Sequence, residues 1–152
     1  MSAGAHPVAH LNRRYRFSAS HRLHVDHLSG DQNRELFGKC NNPFGHGHNY
    51  TVQVTVAGPI DRETGMVVNL SAIDNFAAGE LFERFDYANL NEDAAFRASV
   101  PSTENLCLEL WRVFQRFTAL HPGLTLRRIR VEETNNNAFD FFGEGTPVPS
   151  ID

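Results

Sequence analysis

The fold of this chain is decided by the stretch Cys40-Asn-Asn-Pro-Phe-Gly-His46-Gly-His48-Asn-Tyr50 and by the strand that continues from it. Over residues 50–56 apolar and polar side chains alternate, which is the period-two pattern of a half-buried β-strand. His46 and His48 share the parity of the apolar residues. Side chains two positions apart on a strand point the same way, so one metal ion can be held by both imidazoles.

A second strand is predicted over residues 14–21, because the same alternation ends there with His21 on the apolar face. If it pairs antiparallel with the strand of His46 and His48, the end of one strand lies beside the start of the other. Three imidazoles would then converge, which is typical of a catalytic zinc site with one open coordination position. The alternative is a pH-sensitive histidine cluster without a metal ion.

The connection over residues 22–45 is far longer than a hairpin loop, and loops of that length tend to be functional or disordered. It brings Cys40 to the predicted histidine cluster. We interpret Cys40 either as a fourth zinc ligand, or as a nucleophile or base whose thiolate is favoured by a nearby cation. Cys107 lies in a helical apolar pattern, where a free thiol behaves as a small hydrophobe.

Two amphipathic helices are predicted in the second half of the chain. The first is capped by Asn69 or Ser71, and the second by Ser102 or Thr103. Residues 85–91, between them, are polar and are predicted to form a connecting loop. The buried stripes of the two helices are Ile73, Phe76, Ala77 and Leu81, and Leu106, Leu110, Val113, Phe114 and Phe117.

Two further strands are predicted at the end of the chain, over residues 128–134 and 138–142. Glu133 stands on the first of them where the alternation requires an apolar residue. A carboxylate on a core face needs a partner or a ligand, because burying an unpaired charge is costly. The predicted order is strand, strand, helix, helix, strand, strand, which is an α+β arrangement.

Length and composition predict one domain over residues 1–152, with 41% hydrophobic residues and a loosely ordered extension at residues 1–13. The net charge of −4 excludes a surface built to neutralise nucleic-acid phosphates. The chain has no apolar run long enough to span a bilayer and no signal-peptide pattern, so we expect a soluble, cytoplasmic protein without a membrane partner.

Five blocks stand out when they are read in order along the chain. They are Phe17-Ser-Ala-Ser-His21-Arg-Leu, Phe37-Gly-Lys-Cys40 through Tyr50, Gly65-Met-Val-Val-Asn-Leu, Ser102-Thr-Glu104-Asn-Leu and Val131-Glu-Glu133-Thr. With these blocks, the chain from about residue 15 to residue 144 resembles the 6-pyruvoyltetrahydropterin synthase family, which also includes the bacterial 6-carboxytetrahydropterin synthases. The resemblance implies a tunnelling fold (T-fold), with ββααββ subunits whose antiparallel sheets join into a barrel, in a homohexamer built as a dimer of trimers.

The resemblance also implies roles for individual residues. Glu133 falls on the glutamate that anchors a pterin ring, as a carboxylate can accept from ring N–H and amino donors. Catalytic roles fall on Cys40 and Asp86, and further substrate contacts on the helix start. The implied zinc ligands are His21, His46 and His48, and the implied helix-start contacts are Ser102, Thr103 and Glu104.

The implied reaction starts from 7,8-dihydroneopterin triphosphate and eliminates triphosphate to give 6-pyruvoyltetrahydropterin, a carbon–oxygen lyase reaction that needs Zn2+ and no external redox cofactor. A 6-carboxytetrahydropterin synthase acts on the same substrate and is the alternative. The insertion at residues 28–39 and the Cys-Asn-Asn-Pro block favour the pyruvoyl type. The products belong to tetrahydrobiopterin or queuosine biosynthesis, respectively.

The chain departs from the family pattern at Tyr87, where relatives have a histidine that acts as a base toward the cysteine. A phenol with an ordinary pKa near 10 is a poor base at neutral pH. One interpretation gives Tyr87 a packing and hydrogen-bonding role, and another replaces the missing base by His24 or His27. The departure also leaves open a catalytically impaired protein that binds a pterin without turning it over.

Overall fold

The computed structural model describes residues 5–145 as an α+β fold built on one five-stranded sheet. The strands are β1 (Val8–His21), β2 (His46–Pro59), β3 (Ala88–Asn89), β4 (Thr125–Glu132) and β5 (Ala138–Phe141). Their order across the sheet is β3-β1-β2-β4-β5. All neighbours pair antiparallel except β3, which runs parallel to β1.

The antiparallel pairing of β1 with β2 is confirmed along its whole length, from Val8 opposite Pro59 to His21 opposite His46. The prediction of a loosely ordered extension at residues 1–13 was wrong for residues 8–13, which belong to β1. Backbone pairing with the far half of β2 orders this segment, in which exposed and half-buried side chains alternate. Residues 1–4 lie outside the described part of the chain.

β3 was missed because residues 85–91 carry turn chemistry and no apolar alternation. Only two residue pairs join it to β1, Ala19 with Ala88 and Ser20 with Asn89. A strand this short is held by backbone hydrogen bonds, which leave no trace in a side-chain pattern.

Two helical units cover one face of the sheet. α2 (Leu70–Ala77) is capped by Asn69, whose side chain accepts from Ser71 N–H at 2.8 Å, and continues through a π-helical turn (Ala78–Phe82) into α3 (Glu83–Phe85). α4 (Thr103–Ala119) is capped by Ser102. Both predicted stripes reach the core, which includes Tyr15, Phe17, Tyr50, Val52, Val54, Ile73, Leu81, Leu106, Leu110, Phe114, Phe117, Ile129 and Val131.

The connection over residues 22–45 contains a helix that the sequence interpretation missed, α1 (Gly30–Phe37), and a 3-10 turn (Gly38–Asn41). A local signal was present. Ser29 accepts from Gln32 N–H at 3.2 Å while the Gln32 side chain accepts from Ser29 N–H at 2.9 Å, which is a capping box. Among residues 5–145 no helix combines the length and apolar character that a bilayer crossing requires.

Candidate active site

The three histidines converge, as the strand parity predicted. Nε2 of His46 lies 3.0 Å from Nε2 of His21 and 3.3 Å from Nε2 of His48. The convergence follows from the sheet, because His21 ends β1 directly opposite His46, and His48 is two positions further along β2.

The imidazole of His21 is held in one tautomer. Its Nδ1 lies 2.8 Å from the carbonyl oxygen of Pro101, which can only accept, so Nδ1 carries the proton and Nε2 presents a lone pair to His46. Metal-binding histidines commonly donate their other ring N–H in this way. Burial is the main cause that lowers the pKa of both His21 and His48, which favours the neutral imidazoles that a metal ion requires.

Gly45 allows β2 to begin this close to the end of β1. Its φ is +72°, and a Cβ added there would lie 2.8 Å from the carbonyl oxygen of His21. Only glycine combines this left-handed backbone conformation with so close an approach. The glycine before His46 is therefore part of what brings the histidines together.

Cys40 lies beside the histidines at the end of the 3-10 turn. Its Sγ and one ring nitrogen each of His21 and His46 lie within 4.8 Å of one another, a spacing that can hold a metal ion. Burial, and then the charge of Glu133, raise the pKa of the Cys40 thiol. The geometry is compatible with both interpretations of Cys40, as a ligand or as a proton carrier.

Glu133 points toward the same cluster from the first position after β4. Its Oε1 lies 3.3 Å from Nε2 of His48, and its Oε2 accepts from the hydroxyl of Thr103. Both acidic and imidazole side chains are largely buried, at 15% and 14% exposure. The prediction that Glu133 occupies a core-facing position and needs partners is confirmed, and the partners are His48 and Thr103.

The three residues at the start of α4 have different environments. The Ser102 hydroxyl accepts from Asn105 N–H and is used as the helix cap. Thr103 is 2% exposed and donates to Glu133, while Glu104 faces solvent. Of the predicted helix-start contacts, the described structure therefore brings Thr103 into direct contact with the cluster.

Asp86 and Tyr87 are tied to the backbone of β1. Oδ1 of Asp86 accepts from Ser18 N–H at 2.9 Å, and Tyr87 N–H donates to Ser18 O at 2.6 Å. Tyr87 has a positive φ of 55° and a side chain that is 90% exposed, so a packing role for its ring within one chain was wrong. A cavity of about 490 Å3 runs between Tyr87 and His48, with Ser18, Ser20, Gly47, Asn49 and Asn89 in its walls.

Neither histidine suggested as a replacement base has its hydrogen bonds directed to Cys40 among the described residues. Nδ1 of His24 lies 3.0 Å from Nδ2 of Asn41, and His27 faces solvent. Sequence reasoning missed two buried neighbours of the site, Asn41 and Tyr50, whose hydroxyl lies 3.4 Å from Nδ1 of His21. The Tyr50 side chain shares the parity of His48, which is the one signal that pointed to it.

A cavity of about 830 Å3 lies away from these residues. It opens between α4 and the strands β4 and β5, with Trp111, Arg128 and Phe141 in its walls. No member of the histidine cluster lines it. The chemistry-bearing side chains therefore do not border this cavity in the single chain.

Comparison with known proteins identifies the family. Residues 10–144 match the family model of 6-pyruvoyl tetrahydropterin synthase. The 6-pyruvoyl tetrahydrobiopterin synthase of Drosophila melanogaster is 46% identical over 138 residues, covering 90% of this chain and 81% of the relative. The enzyme of that name from Homo sapiens is 44% identical, covering 90% of this chain and 92% of the relative.

The bacterial branch and a solved structure agree with this assignment. The 6-carboxy-5,6,7,8-tetrahydropterin synthase of Bacillus subtilis is 34% identical over 135 residues, covering 85% of this chain and 82% of the relative. The solved structure of Caenorhabditis elegans 6-pyruvoyl tetrahydropterin synthase superposes with a TM-score of 0.79 at 34% identity, covering 91% of this chain and 98% of that one. On this sequence and structural evidence, the chain belongs to the 6-pyruvoyl tetrahydropterin synthase family of enzymes.

Proposed function

We propose that this chain is a zinc-dependent carbon–oxygen lyase that converts 7,8-dihydroneopterin triphosphate to 6-pyruvoyltetrahydropterin and releases triphosphate, in cytoplasmic tetrahydrobiopterin synthesis. The observation that carries the proposal is the convergence of three imidazole Nε2 atoms beside a thiol and a buried carboxylate. The animal relatives at 44–46% identity are named for this product.

The donor set fits a zinc ion. Tetrahedral zinc with Zn–N bonds of about 2.0–2.1 Å requires ligand nitrogens roughly 3.3 Å apart. The two Nε2 separations at His46 are 3.0 and 3.3 Å, and the proton on Nδ1 of His21 leaves its Nε2 free to bind. His21, His46 and His48 would hold the ion, with Cys40 close enough to be either a fourth ligand or a reacting thiol.

The remaining residues bind the pterin and move protons. When bound, zinc supplies Lewis acidity at the hydroxyl-bearing side chain of the substrate. Glu133 accepts hydrogen bonds from the ring N–H and amino donors of the pterin, and Thr103 holds the carboxylate in orientation. Cys40, beside His21 and His46, takes and returns a proton at the substrate side chain as general base and acid. Asp86, which is hydrogen-bonded to the backbone of Ser18 on β1, would assist this proton transfer.

The product distinguishes the two branches of the family. Zinc-loaded protein is incubated with 7,8-dihydroneopterin triphosphate, released triphosphate is quantified, and the pterin product is identified by mass spectrometry. We expect a pyruvoyl side chain. A product whose side chain is cut to a carboxylate would assign the chain to the 6-carboxytetrahydropterin synthases instead.

The exposed Tyr87 favours one alternative, a pterin-binding protein with impaired turnover. A histidine at this position supplies a base, whereas the phenol of Tyr87 points into solvent and the described structure gives it no hydrogen-bond partner. This alternative predicts stoichiometric zinc and tight pterin binding without triphosphate release in the same assay.

We further propose the homohexamer, a dimer of trimers, that the family resemblance implies. Two open sheet edges support it. Within residues 5–145, the outer edge of β1 is paired only at Ala19 and Ser20, and β5 is paired on one side only. Unpaired edges readily accept strands from other chains, so neighbouring sheets can continue into a barrel. Sedimentation velocity that shows only monomer at micromolar concentration would contradict this assembly.

A further inference from the structure

We propose that Asn41 is a positioning residue that holds Cys40 beside the histidine cluster. Residues 40–41 are hydrogen-bonded to Leu23 and His24, which follow His21 closely in the chain. Leu23 N–H donates to the Cys40 carbonyl at 2.8 Å, and Nδ2 of Asn41 donates to the Leu23 carbonyl at 2.8 Å. The Asn41 carboxamide thus supplies the second hydrogen bond of a two-bond clamp, in the place of a backbone N–H.

The orientation of this carboxamide is determined by its partners. The Leu23 carbonyl can only accept, so the group that faces it is the NH2 of Asn41. The same Nδ2 lies 3.0 Å from Nδ1 of His24, which therefore acts as the acceptor. Asn41 is 5% exposed, and the backbone carbonyl of Asn41 accepts from Nε of Arg22 at 3.3 Å. One buried residue is tied to three consecutive residues that follow His21.

The clamp fixes the distance between thiol and imidazole. His21 is held on its far side by Pro101, and the segment 22–24 continues directly from it. The hydrogen bonds of Asn42 and Gly45 in the following turn are local, to Lys39 and Asn42. Without the Asn41 side chain, residues 40–41 would keep the backbone bond from Leu23 to the Cys40 carbonyl and the longer bond, 3.3 Å, from Arg22 Nε to the Asn41 carbonyl. The approach of Cys40 Sγ to the ring nitrogens, all within 4.8 Å of one another, thus depends on a residue whose own hydrogen bonds go to Arg22, Leu23 and His24.

The chain offers a matched control in the next residue. Asn42 has the same side chain but is exposed, and its Oδ1 makes one weak local contact, 3.4 Å from Phe44 N. Cys107 offers an internal reference, because it is 2% exposed on the buried face of α4, so that it reacts only when the fold opens. The proposal rests on the proposed function only for the role of Cys40, and the test below needs no turnover.

The experiment measures the alkylation rates of Cys40 and Cys107 by iodoacetamide, by peptide mass spectrometry, with and without one equivalent of zinc. The variants are Asn41→Asp, which is isosteric and lacks both N–H donors, Asn41→Ser, and the control Asn42→Asp. In the unsubstituted protein and in Asn42→Asp, we expect zinc to change the Cys40 rate by about tenfold, because a cation close to a thiol controls its thiolate fraction. In both Asn41 variants, we expect less than about a twofold zinc effect with zinc content unchanged.

Turnover then provides a second readout. If the proposed reaction is observed, Asn41→Asp lowers kcat by about 100-fold while KM stays within about threefold, since the misplaced group acts on the reacting atoms and not on pterin binding. Retention of the full zinc effect on Cys40 in both Asn41 variants would overturn the proposal. So would alkylation of Cys107 as fast as Cys40 in those variants, which would show that Asn41 serves folding alone. If zinc has no effect on Cys40 in the unsubstituted protein, Cys40 is not beside the ion and the inference fails, whatever product the enzyme forms.

Discussion

The Nε2 atoms of His21 and His46 lie 3.0 Å apart, although the two residues are 25 positions apart in the chain. The tautomer of His21 is fixed by Pro101, so its Nε2 offers a lone pair and no proton. At this distance the two nitrogens can be bridged either by the hydrogen of an Nε2–H tautomer of His46 or by a metal ion. The sheet register thus brings the two imidazole nitrogens close enough to be bridged before any ligand arrives.

Removal of one imidazole tests the three-histidine assignment. We expect His48→Ala to lower zinc affinity by at least about 100-fold, because the tetrahedral set loses a ligand. Competition against a chromophoric chelator measures the affinity. His27→Ala, at an exposed position on the connection, is the control and should bind zinc normally. Full zinc retention in His48→Ala would remove His48 from the site.

Gly45, the glycine that precedes β2, is expected to be irreplaceable. Gly45→Ala combines a positive φ of +72° with a Cβ 2.8 Å from the His21 carbonyl, and we expect it to lower the free energy of unfolding by about 2–4 kcal/mol and to impair zinc binding. Gly38→Ala is the matched control, since its φ of +54° is also positive but a Cβ there has no atom within 4 Å. Urea denaturation compares the two. Equal losses would show that the approach to His21 does not matter.

The hydroxyl of Thr103 is expected to control substrate affinity through Glu133. Thr103→Val keeps the shape and removes the hydrogen bond to the carboxylate, so we expect the Kd for a non-reactive pterin to rise about tenfold. Thr103→Ser keeps the hydroxyl and should retain most of the pterin affinity. Glu133→Gln should lower the pterin affinity more than either Thr103 variant. Zinc content is measured in parallel and should not change. Normal pterin binding by Thr103→Val would show that the Thr103 hydroxyl is not needed for pterin binding by Glu133.

Substitution of Tyr87 tests whether this chain has lost a catalytic base. The side chain is 90% exposed, so neither Tyr87→Phe nor Tyr87→His should change the Tm of the isolated chain appreciably. We expect Tyr87→His to raise kcat by about 100-fold, the range that a well-placed general base provides. Triphosphate release at saturating substrate is the measurement. An unchanged kcat would argue that proton transfer here uses a different group.

An ion cluster between α3 and α4 is expected to make stability depend on pH. Arg84 donates to both oxygens of Asp93 at 2.7 Å and lies 2.9 Å from Glu109, and its hydrogen bonds are the main cause that holds the pKa of Asp93 below the ordinary value. A depressed carboxyl pKa stabilises the folded state above the unfolded pKa of about 3.9, and that contribution is lost as pH falls through the folded pKa.

Asp93→Asn should therefore reduce the fall in unfolding free energy between pH 5 and pH 3, which urea titrations at each pH measure. Asp31→Asn is the control, because its ion pair with Arg34 is exposed to solvent. If the unfolding free energy of Asp93→Asn falls as steeply with decreasing pH as that of the unsubstituted chain, the ion cluster is not the source of the pH dependence.

The features that could be predicted are those recorded in side-chain periodicity. The alternation around His21 and His48 predicted the paired strands, and with them the convergence of the imidazoles. The same reasoning recognised Glu133 as a core-facing carboxylate and gave Ser102 or Thr103 as the helix cap, of which the structure uses Ser102. Each of these depends on a local pattern of burial or capping that neighbouring residues repeat.

The features that were missed depend on contacts without such a pattern. α1 is mostly polar, with Asn33 as its one buried residue, and it was hidden in a segment interpreted as a loop, although Ser29 and Gln32 form its capping box. β3 is a two-residue backbone pairing. The exposure of Tyr87 follows from its positive φ, which a tyrosine adopts here because Asp86 and Tyr87 are both hydrogen-bonded to Ser18.

His21, His46 and His48 can be assigned to one face of two paired strands from the sequence, because strand periodicity and antiparallel pairing leave a single way to bury the apolar residues beside them. The groups that surround the three imidazoles follow from the three-dimensional fold. Pro101 orients His21, Thr103 and His48 engage Glu133, and Asn41 ties Cys40 to the segment after β1. These contacts join residues far apart in the chain, and their geometry depends on the path of the backbone, which no local pattern encodes.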